Sequence, residues 1–456
     1  MSPRKWVVRG LVALVLAGCL GAGVVYQQWT NPAAVREQVE DMLGRQFPGI
    51  LPTVGSAHLR LFGGVVLTEL HLLRRDDDKQ DLIYIPEATV FPDKERLLDG
   101  KVAFRRIELL KPIVHITRGK DGHWNIGGLT NKSTATGPLP TIVIQHGTLV
   151  IKDNFAGPLT VELHDVNMTL LNDAPNCLSI SGSAESDSAG AVEIRGSWNR
   201  GTNAWTLSCR TTGLCINKEL VQYAASQCKE DRLKDLQIDA KVDIAAELSY
   251  QPDAVPPLKH DIRCVLRQAS VEHPKLPERL HNLSAVLHCD GNKLILENLK
   301  AAVGSGKVEC KGWADLTDPE NNFGGEMTAY HLPLTREMAN RLPEKVYFLY
   351  DRFQPVGTAK IGVVAERAKG EWVRCLCKFQ PEDIGVCFKN FKYPLERFSG
   401  VLDFDYVTNA STFEAVGYNG DHPITVRGTW KNSGINADGQ IEISGHDMPL
   451  DDRLMN

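Results

Sequence analysis

The chain has 456 residues, a length that predicts about three domain-sized units. It carries 51 Lys and Arg against 56 Asp and Glu, a formal net charge of −5, which argues against a nucleic-acid-binding protein because such proteins present basic surfaces. Hydrophobic residues make up 43% and charged residues 23%, so a disordered chain is excluded, and 39 Gly and 24 Pro exclude collagen-like and low-complexity architectures.

The N-terminus has the pattern of a membrane anchor. An uncharged apolar stretch runs from Gly10 to Tyr26, which is near the minimum length for a helix that spans a bilayer. Trp6 and Trp29 flank it, as expected of aromatic residues at the two membrane interfaces. Basic residues precede it, and such residues stay in the cytoplasm. The pattern predicts a cytoplasmic segment over 1–9, a transmembrane anchor over 10–26, and a single-pass inner-membrane protein with the bulk of the chain in the periplasm.

Two alternatives to a retained anchor remain open. Leu16-Ala17-Gly18-Cys19 matches the lipobox of bacterial lipoproteins, in which the cysteine, here Cys19, is acylated. The seven residues after Cys19 are also apolar, whereas a lipoprotein usually becomes polar at this point. A cleaved signal peptide is the other alternative. All three interpretations place the bulk of the chain outside the cytoplasm.

The remaining ten cysteines suggest neither a disulfide framework nor a metal site. An exported compartment permits disulfides, but the spacing shows no dense framework. Cys375 and Cys377 are two residues apart and are predicted to lie on one face of a strand, where they would pack as small hydrophobic residues. No cluster of His and Cys at zinc spacing accompanies them, and the sequence predicts no metal ligands.

The sequence repeats itself with a period of about 116 residues. A strand-like motif occurs at 192–198, 308–313 and 424–430, and its glycines, Gly196, Gly312 and Gly428, are 116 residues apart. About twenty residues later, each copy has a second motif, at 214–220, 332–338 and 448–454. This second motif predicts a helix start, with Asn217, Thr335 and Asp451 as N-cap residues and helices over 218–228 and 336–350.

Alternating apolar and polar residues dominate each copy and predict antiparallel strands with one apolar and one hydrated face. Before the repeats, the sequence predicts a helix over Ala33–Gln46 and then strands at 59–61, 65–72, 82–85, 102–110 and 113–117. The predicted organisation is an N-terminal β domain over 27–139 and β repeats over 140–232, 233–352 and 353–456. The fold class is therefore mainly β: a transmembrane helix followed by an elongated, curved antiparallel sheet with short interspersed helices.

The sequence contains no motif that predicts catalysis. It lacks a G-x-S-x-G elbow and an H-E-x-x-H helix. The segment 304–307, Gly-Ser-Gly-Lys, resembles the end of a phosphate-binding loop, but Ala301 stands where the first glycine is required, so a β-turn is predicted instead. We therefore expect neither an enzyme nor a bound cofactor, and no catalytic residue is assigned.

The N-terminal third resembles the AsmA-like family of bacterial envelope proteins. The resemblance rests on the anchor and on short segments at 55–70, 86–90, 97–102, 107–112, 118–125 and 142–149. It implies a membrane-anchored periplasmic protein of elongated β structure that acts as a bridge-like lipid transfer protein. It also implies links to outer-membrane assembly and to phospholipid traffic between membranes. The family has no catalytic residues to assign.

An apolar strand face must be covered by another sheet, by a helix or by a ligand. A lipid groove is one solution, because burying each CH₂ is worth ~0.8 kcal/mol and a sixteen-carbon tail on the order of 12 kcal/mol. A closed β-sandwich core fits the same periodicity and remains the alternative. The expected partners are a membrane, phospholipid and outer-membrane assembly proteins bound through sheet edges, but not nucleic acid. The candidate groove residues are Val242, Ile244, Leu248, Ile361, Val363, Ile441 and Ile443.

Overall fold

The computed structural model is mainly β: strands account for most of the residues that it describes and helices are few, which confirms the predicted class. The structure describes residues 32–46, 49–60, 64–74, 77–93, 95, 104–126, 140–155, 159–174, 176–228, 235–274, 276, 278–320, 322–341, 344–389, 391–432 and 438–446. The predicted anchor over 10–26, the interface residues Trp6 and Trp29, and Cys19 lie outside these ranges. Among the described helices, none combines the length and the apolar character needed to cross a bilayer.

The chain divides into two units. The first unit comprises Met1–Cys209 together with Ser249–Pro257, and the second comprises Arg210–Leu248 together with Leu258–Asn456. The strand β10 (Ala204–Ile216) contains the point at which the chain passes from the first unit to the second.

The first unit begins with α1 (Pro32–Gln46), which confirms the predicted helix. Val35, Val39 and Leu43 of α1 pack against a core of buried residues that includes Ile50 and Leu82. The buried residues of this core come from the first three strands of the unit, β1 (Ile50–Arg60), β2 (Gly64–Arg74) and β3 (Asp77–Pro92). The strands that follow are β4 (Phe104–Leu110), β5 (Ile113–Arg118), β6 (Thr141–Asp153), β7 (Leu159–Ala174), β8 (Cys177–Glu185) and β9 (Ala191–Asn199).

The first unit departs from the predicted antiparallel arrangement at one place. β6 runs parallel to β4, with Ile107 beside Ile142, and parallel to β5, with Val114 beside Leu149. Between β5 and β6 the chain has 22 residues, 119–140. A connection of a dozen or more residues is long enough to return to the starting end of a neighbouring strand, which a tight hairpin cannot do.

The second unit continues with α2 (Lys218–Cys228), as predicted. The predicted helix over 336–350 is instead two helices, α3 (Arg336–Ala339) and α4 (Glu344–Phe353). Pro343 lies between them in the sequence, and proline lacks the N–H that a helix interior requires. The strands of this unit are β11 (Gln237–Tyr250), β12 (Leu258–Glu272), β13 (Leu280–Asp290), β14 (Lys293–Val303), β15 (Gly306–Asp315), β16 (Phe323–Pro333), β17 (Val356–Arg367), β18 (Arg374–Phe388), β19 (Phe391–Asp405), β20 (Ala410–Asn419), β21 (His422–Lys431) and β22 (Asp438–Gly445).

The sequence repeat corresponds to a repeat of six strands. β12 and β18 begin and end 116 residues apart, and the start and end of β21 fall 116 residues after those of β15. The turn before β15 pairs Val303 with Gly306, which confirms a β-turn rather than a phosphate loop. Gly304 in this turn has φ +55°, and Gly420 in the equivalent turn of the next copy has φ +61°.

The repeated glycine is required by close strand packing. A Cβ atom at Gly312 would lie 2.8 Å from the carbonyl oxygen of Gly324, and a Cβ at Gly428 would lie 2.7 Å from that of Gln440. The third equivalent, Gly196, has the same constraint, with the carbonyl oxygen of Thr206 at 2.7 Å. A side chain at any of these positions would therefore push the neighbouring strand away, which explains why the motif keeps glycine.

Candidate functional site

The apolar residues of the second unit form continuous rows across the sheet. Cross-strand partners lie on the same face of a sheet. Following these partners from strand to strand gives a row with one residue from each of the eleven strands β12–β22, which we call the first row. This row consists of Leu266, Ala285, Leu299, Cys310, Met327, Val363, Cys377, Phe404, Ser411, Trp430 and Gly439. We call the side of the sheet that carries it the apolar face.

A second row on the apolar face runs beside the first. It crosses the nine strands β14–β22 and contains no charged residue. Its members are Ala301, Val308, Ala329, Ile361, Phe379, Leu402, Phe413, Gly428 and Ile441. Two adjacent rows of this kind form an apolar strip.

The opposite side of the same strands is polar, and we call it the polar face. One of its rows consists of Glu309, Thr328, Gly362, Lys378, Asp403, Thr412, Thr429 and Gln440. Ion pairs join neighbouring strands on this face, including Arg374 with Glu366 at 3.1 Å and Arg427 with Glu414 at 2.7 Å. Exposed pairs of this kind add little stability, but they show that this face is hydrated.

Helices cover only part of the apolar face. Met338 of α3 is buried with Ile384 and Ala359 of the sheet, and Tyr350 of α4 packs against the same cluster. Further along the strands the face opens in part: Met327 is 37% exposed and both Val363 and Cys377 are half-buried, whereas Phe404 and Ser411, the next residues of the same row, are buried.

Beta-bulges mark the boundary between the covered and open parts. Gln268, Asn282, His331 and Asp383 have positive φ within strands, at shifts in register. Each is followed in sequence by a buried residue of the apolar face: Ala269, Leu283, Leu332 and Ile384. A bulge bends its strand and increases the local twist. A line of bulges on successive strands therefore bends the sheet along the covered end of the apolar face.

The predicted groove residues occupy different environments. Val242 is 5% exposed and belongs to a cluster with Ala269 and Leu283, against which Ile244 packs. Leu248 is half-buried further along β11. Ile361 is in the second row and Val363 in the first, both half-buried.

The last two predicted residues are the most exposed of the set. Ile441 belongs to the second row and is 44% exposed, and Ile443 pairs with Val426 and is 62% exposed. The register thus brings four of the seven candidates, those on β17 and β22, onto one face.

Several apolar-face residues were not singled out from the sequence. Met327, Phe379, Leu402 and Phe413 contribute large side chains to the two rows. They lie in strands interrupted by glycine or bulges, where the apolar alternation is weak. Their position is apparent only from the pairing register.

The cysteines contribute thiols, and no disulfide forms among the nine cysteines whose side chains the structure describes. Cys375 and Cys377 pair with Ala365 and Val363, which confirms that both lie on one face of a strand. Burial, together with the neighbouring Cys375, raises the pKa of Cys377 to about 11. This thiol is therefore protonated and apolar at neutral pH. Within the described ranges, no group of three or more His, Cys, Asp or Glu side chains has the arrangement of a metal site.

A scan against protein-family models finds no matching family for this chain, and a search of curated proteins finds no match.

Proposed function

We propose that this protein is a membrane-anchored periplasmic protein of the AsmA-like type, which carries phospholipid along its apolar face between membranes and thereby supports outer-membrane biogenesis. The observation that supports the proposal best is the apolar strip across successive strands of the second unit, in which Met327 is exposed and Val363 and Cys377 are half-buried, although Phe404 and Ser411 of the same row are buried. In a monomer such a strip calls for a ligand or partner, because contiguous exposed apolar surface is costly in water.

The dimensions of the strip suit an acyl chain. Neighbouring strands are ~4.8 Å apart, so a row across eleven strands extends for about 48 Å along the sheet. A lipid tail moving along this row meets apolar side chains on most of the strands, and each methylene in contact with them retains ~0.8 kcal/mol that it would lose in water. Passage then requires no chemical step, and the charged residues of the polar face stay in contact with water.

Photocrosslinking from adjacent positions of β17 tests the proposal. In one variant a photoreactive amino acid replaces Val363, which lies on the apolar face. In the other it replaces the next residue, Val364, which lies opposite Glu326 on the polar face and is 42% exposed. In cells that make the full chain, mass spectrometry is expected to find phospholipid attached at position 363 but not at 364. The same experiment at Ile244, Ile361 and Ile443 extends the test along the sheet. Adducts to protein alone at all the apolar-face positions would instead indicate a closed core.

A second candidate function is an assembly factor that binds outer-membrane proteins through a sheet edge. All eight residues of β22 are exposed, and the described part of the chain pairs this strand only with β21. A free edge offers main-chain hydrogen bonds to an added strand. The test is a photocrosslink from Ser444 to an outer-membrane protein, made with and without the Val363→Asp substitution. A crosslink that persists in the Val363→Asp variant would favour this function over lipid transfer.

A further inference from the structure

A cavity of about 490 Å³ lies in the second unit where α2, β11, β12 and the end of α3 meet. This volume is within the range of roughly 300–1,000 Å³ that is typical of small-molecule sites. Charged residues of both signs line it: Lys218 and Arg341 are basic, and Asp235 and Glu272 are acidic. Leu236 adds an apolar side chain to the lining.

The charges around this cavity are not neutralised by one another. The side chains of Lys218, Asp235 and Glu272 form no hydrogen bond or ion pair with another residue that the structure describes. Arg341 donates through Nη1 to the carbonyl oxygen of Leu276 at 3.4 Å, which leaves its other donors available. On the polar face, in contrast, cations such as those of Arg374 and Arg427 are paired with carboxylates across strands.

The cavity is next to the covered end of the apolar face. Leu236 is two residues before Ile238, and Glu272 directly follows Val271. Ile238 and Val271 both pack against the cluster that contains Val242. Ile238 and Val271 are themselves only half-buried, so a molecule whose hydrocarbon contacts these two side chains can place a polar end among the charged residues.

We propose that the cavity binds the zwitterionic headgroup of a phospholipid, a phosphate ester that carries an ammonium group. This inference rests on the proposed function, since it supplies the polar end for a lipid on the apolar face. Lys218 and Arg341 bind the phosphate through charge-assisted hydrogen bonds, and arginine suits phosphate through its planar fork. Asp235 and Glu272 bind the ammonium. An anionic headgroup without an ammonium leaves both carboxylates unpaired, so the cavity disfavours it.

Calorimetric titration of the full-length protein with water-soluble headgroups tests this proposal. The probes are glycerophosphoethanolamine, glycerophosphoglycerol, which lacks the ammonium, and inorganic phosphate. Glycerophosphoethanolamine is expected to bind about tenfold more tightly than either of the others. Equal affinity for inorganic phosphate would indicate an adventitious ion only and would overturn the proposal, as would the absence of any binding.

Paired substitutions test separately the basic residues that bind the phosphate and the acidic residues that bind the ammonium. The double variant Asp235→Asn, Glu272→Gln is expected to lose the preference for glycerophosphoethanolamine but to keep phosphate binding. Lys218→Gln with Arg341→Gln should weaken binding of every probe at least tenfold. The matched control is Lys241→Gln with Glu247→Gln, two exposed positions of β11 outside the cavity, which should leave all affinities unchanged. An unchanged preference in the first variant would overturn the proposal.

The headgroup titration and the photocrosslinking at Val363 can fail separately, so each tests its own proposal. Lipid adducts at Val363 together with headgroup binding that does not depend on the four charged residues would refute the cavity proposal and leave lipid carriage supported. Headgroup binding that depends on those residues, without lipid adducts at Val363, would support the cavity and refute carriage along the apolar face.

Discussion

Replacement of Ile443 by aspartate distinguishes an open apolar face from a closed core. Ile443 is 62% exposed, so only a little over a third of its surface is removed from water. Complete burial of an isoleucine is worth ~1.5–3 kcal/mol, and the substitution should therefore lower the free energy of unfolding by about 0.6–1.1 kcal/mol. An unpaired carboxylate enclosed in a core would cost several kcal/mol. Urea unfolding of the full-length protein measures the difference.

The same variant tests the path of the lipid. A hydrated carboxylate on β22 is expected to remove about two methylenes of a passing tail from apolar contact, which costs ~1.6 kcal/mol. This corresponds to about a tenfold slower transfer of fluorescent phospholipid between vesicles. The control is Ser444→Asp, next in sequence but on the polar face, opposite Thr425. A loss of stability above ~3 kcal/mol in Ile443→Asp, or equal transfer rates in the two variants, would refute the reasoning.

Three further predictions concern the elements around the apolar face. Met338 is 2% exposed, so Met338→Ala should lower the free energy of unfolding by about 2–5 kcal/mol, whereas the exposed neighbour Glu337→Ala should change it by less than ~0.5 kcal/mol. The Thr335 hydroxyl accepts from the N–H of Met338 at 3.2 Å, so Thr335→Ala should cost about 1 kcal/mol in urea unfolding, and Thr335→Ser should recover most of it. Burial raises the pKa of Cys377 to about 11 from the ordinary 9.0, and only the thiolate reacts with maleimide. Labelling of Cys377 at pH 8 should therefore be about 100-fold slower than labelling of an unperturbed thiol. Its rate should increase about tenfold per pH unit up to pH ~10. Rapid labelling at pH 8 would contradict the burial of this thiol.

The helix caps show what local sequence can predict. Asn217 and Thr335 were expected to begin helices, and the side-chain oxygens of both accept a backbone N–H three residues later, at 2.9 Å and 3.2 Å. This prediction succeeds because a cap depends on residues within one helical turn. The single helix over 336–350 was wrong, because Pro343 lies within that range and the chain forms two helices, one on each side of it.

The tryptophans of the repeat show where sequence similarity misleads. Trp430 follows Gly428 by two residues and lies on the apolar face, where it stacks on Phe413 with ring centroids 4.6 Å apart. Trp313 follows Gly312 by only one residue and lies on the opposite face, with the Lys293 ammonium 5.1 Å from its ring centroid. A shift of one residue exchanges the two faces of a strand, so equivalent motifs do not place equivalent side chains.

The sequence by itself determined the mainly β class, the 116-residue repeat and the existence of strands with one apolar side, because these depend on the local alternation of side chains and on self-similarity along the chain. Only the tertiary structure decided which apolar residues share a face, how far α3 and α4 cover that face, and which charges surround the cavity beside it. These features depend on strand register, on bulges and on the approach of helices distant in sequence. Such long-range pairings leave no periodic signal in the chain, since the two partners of each contact are set by the fold as a whole.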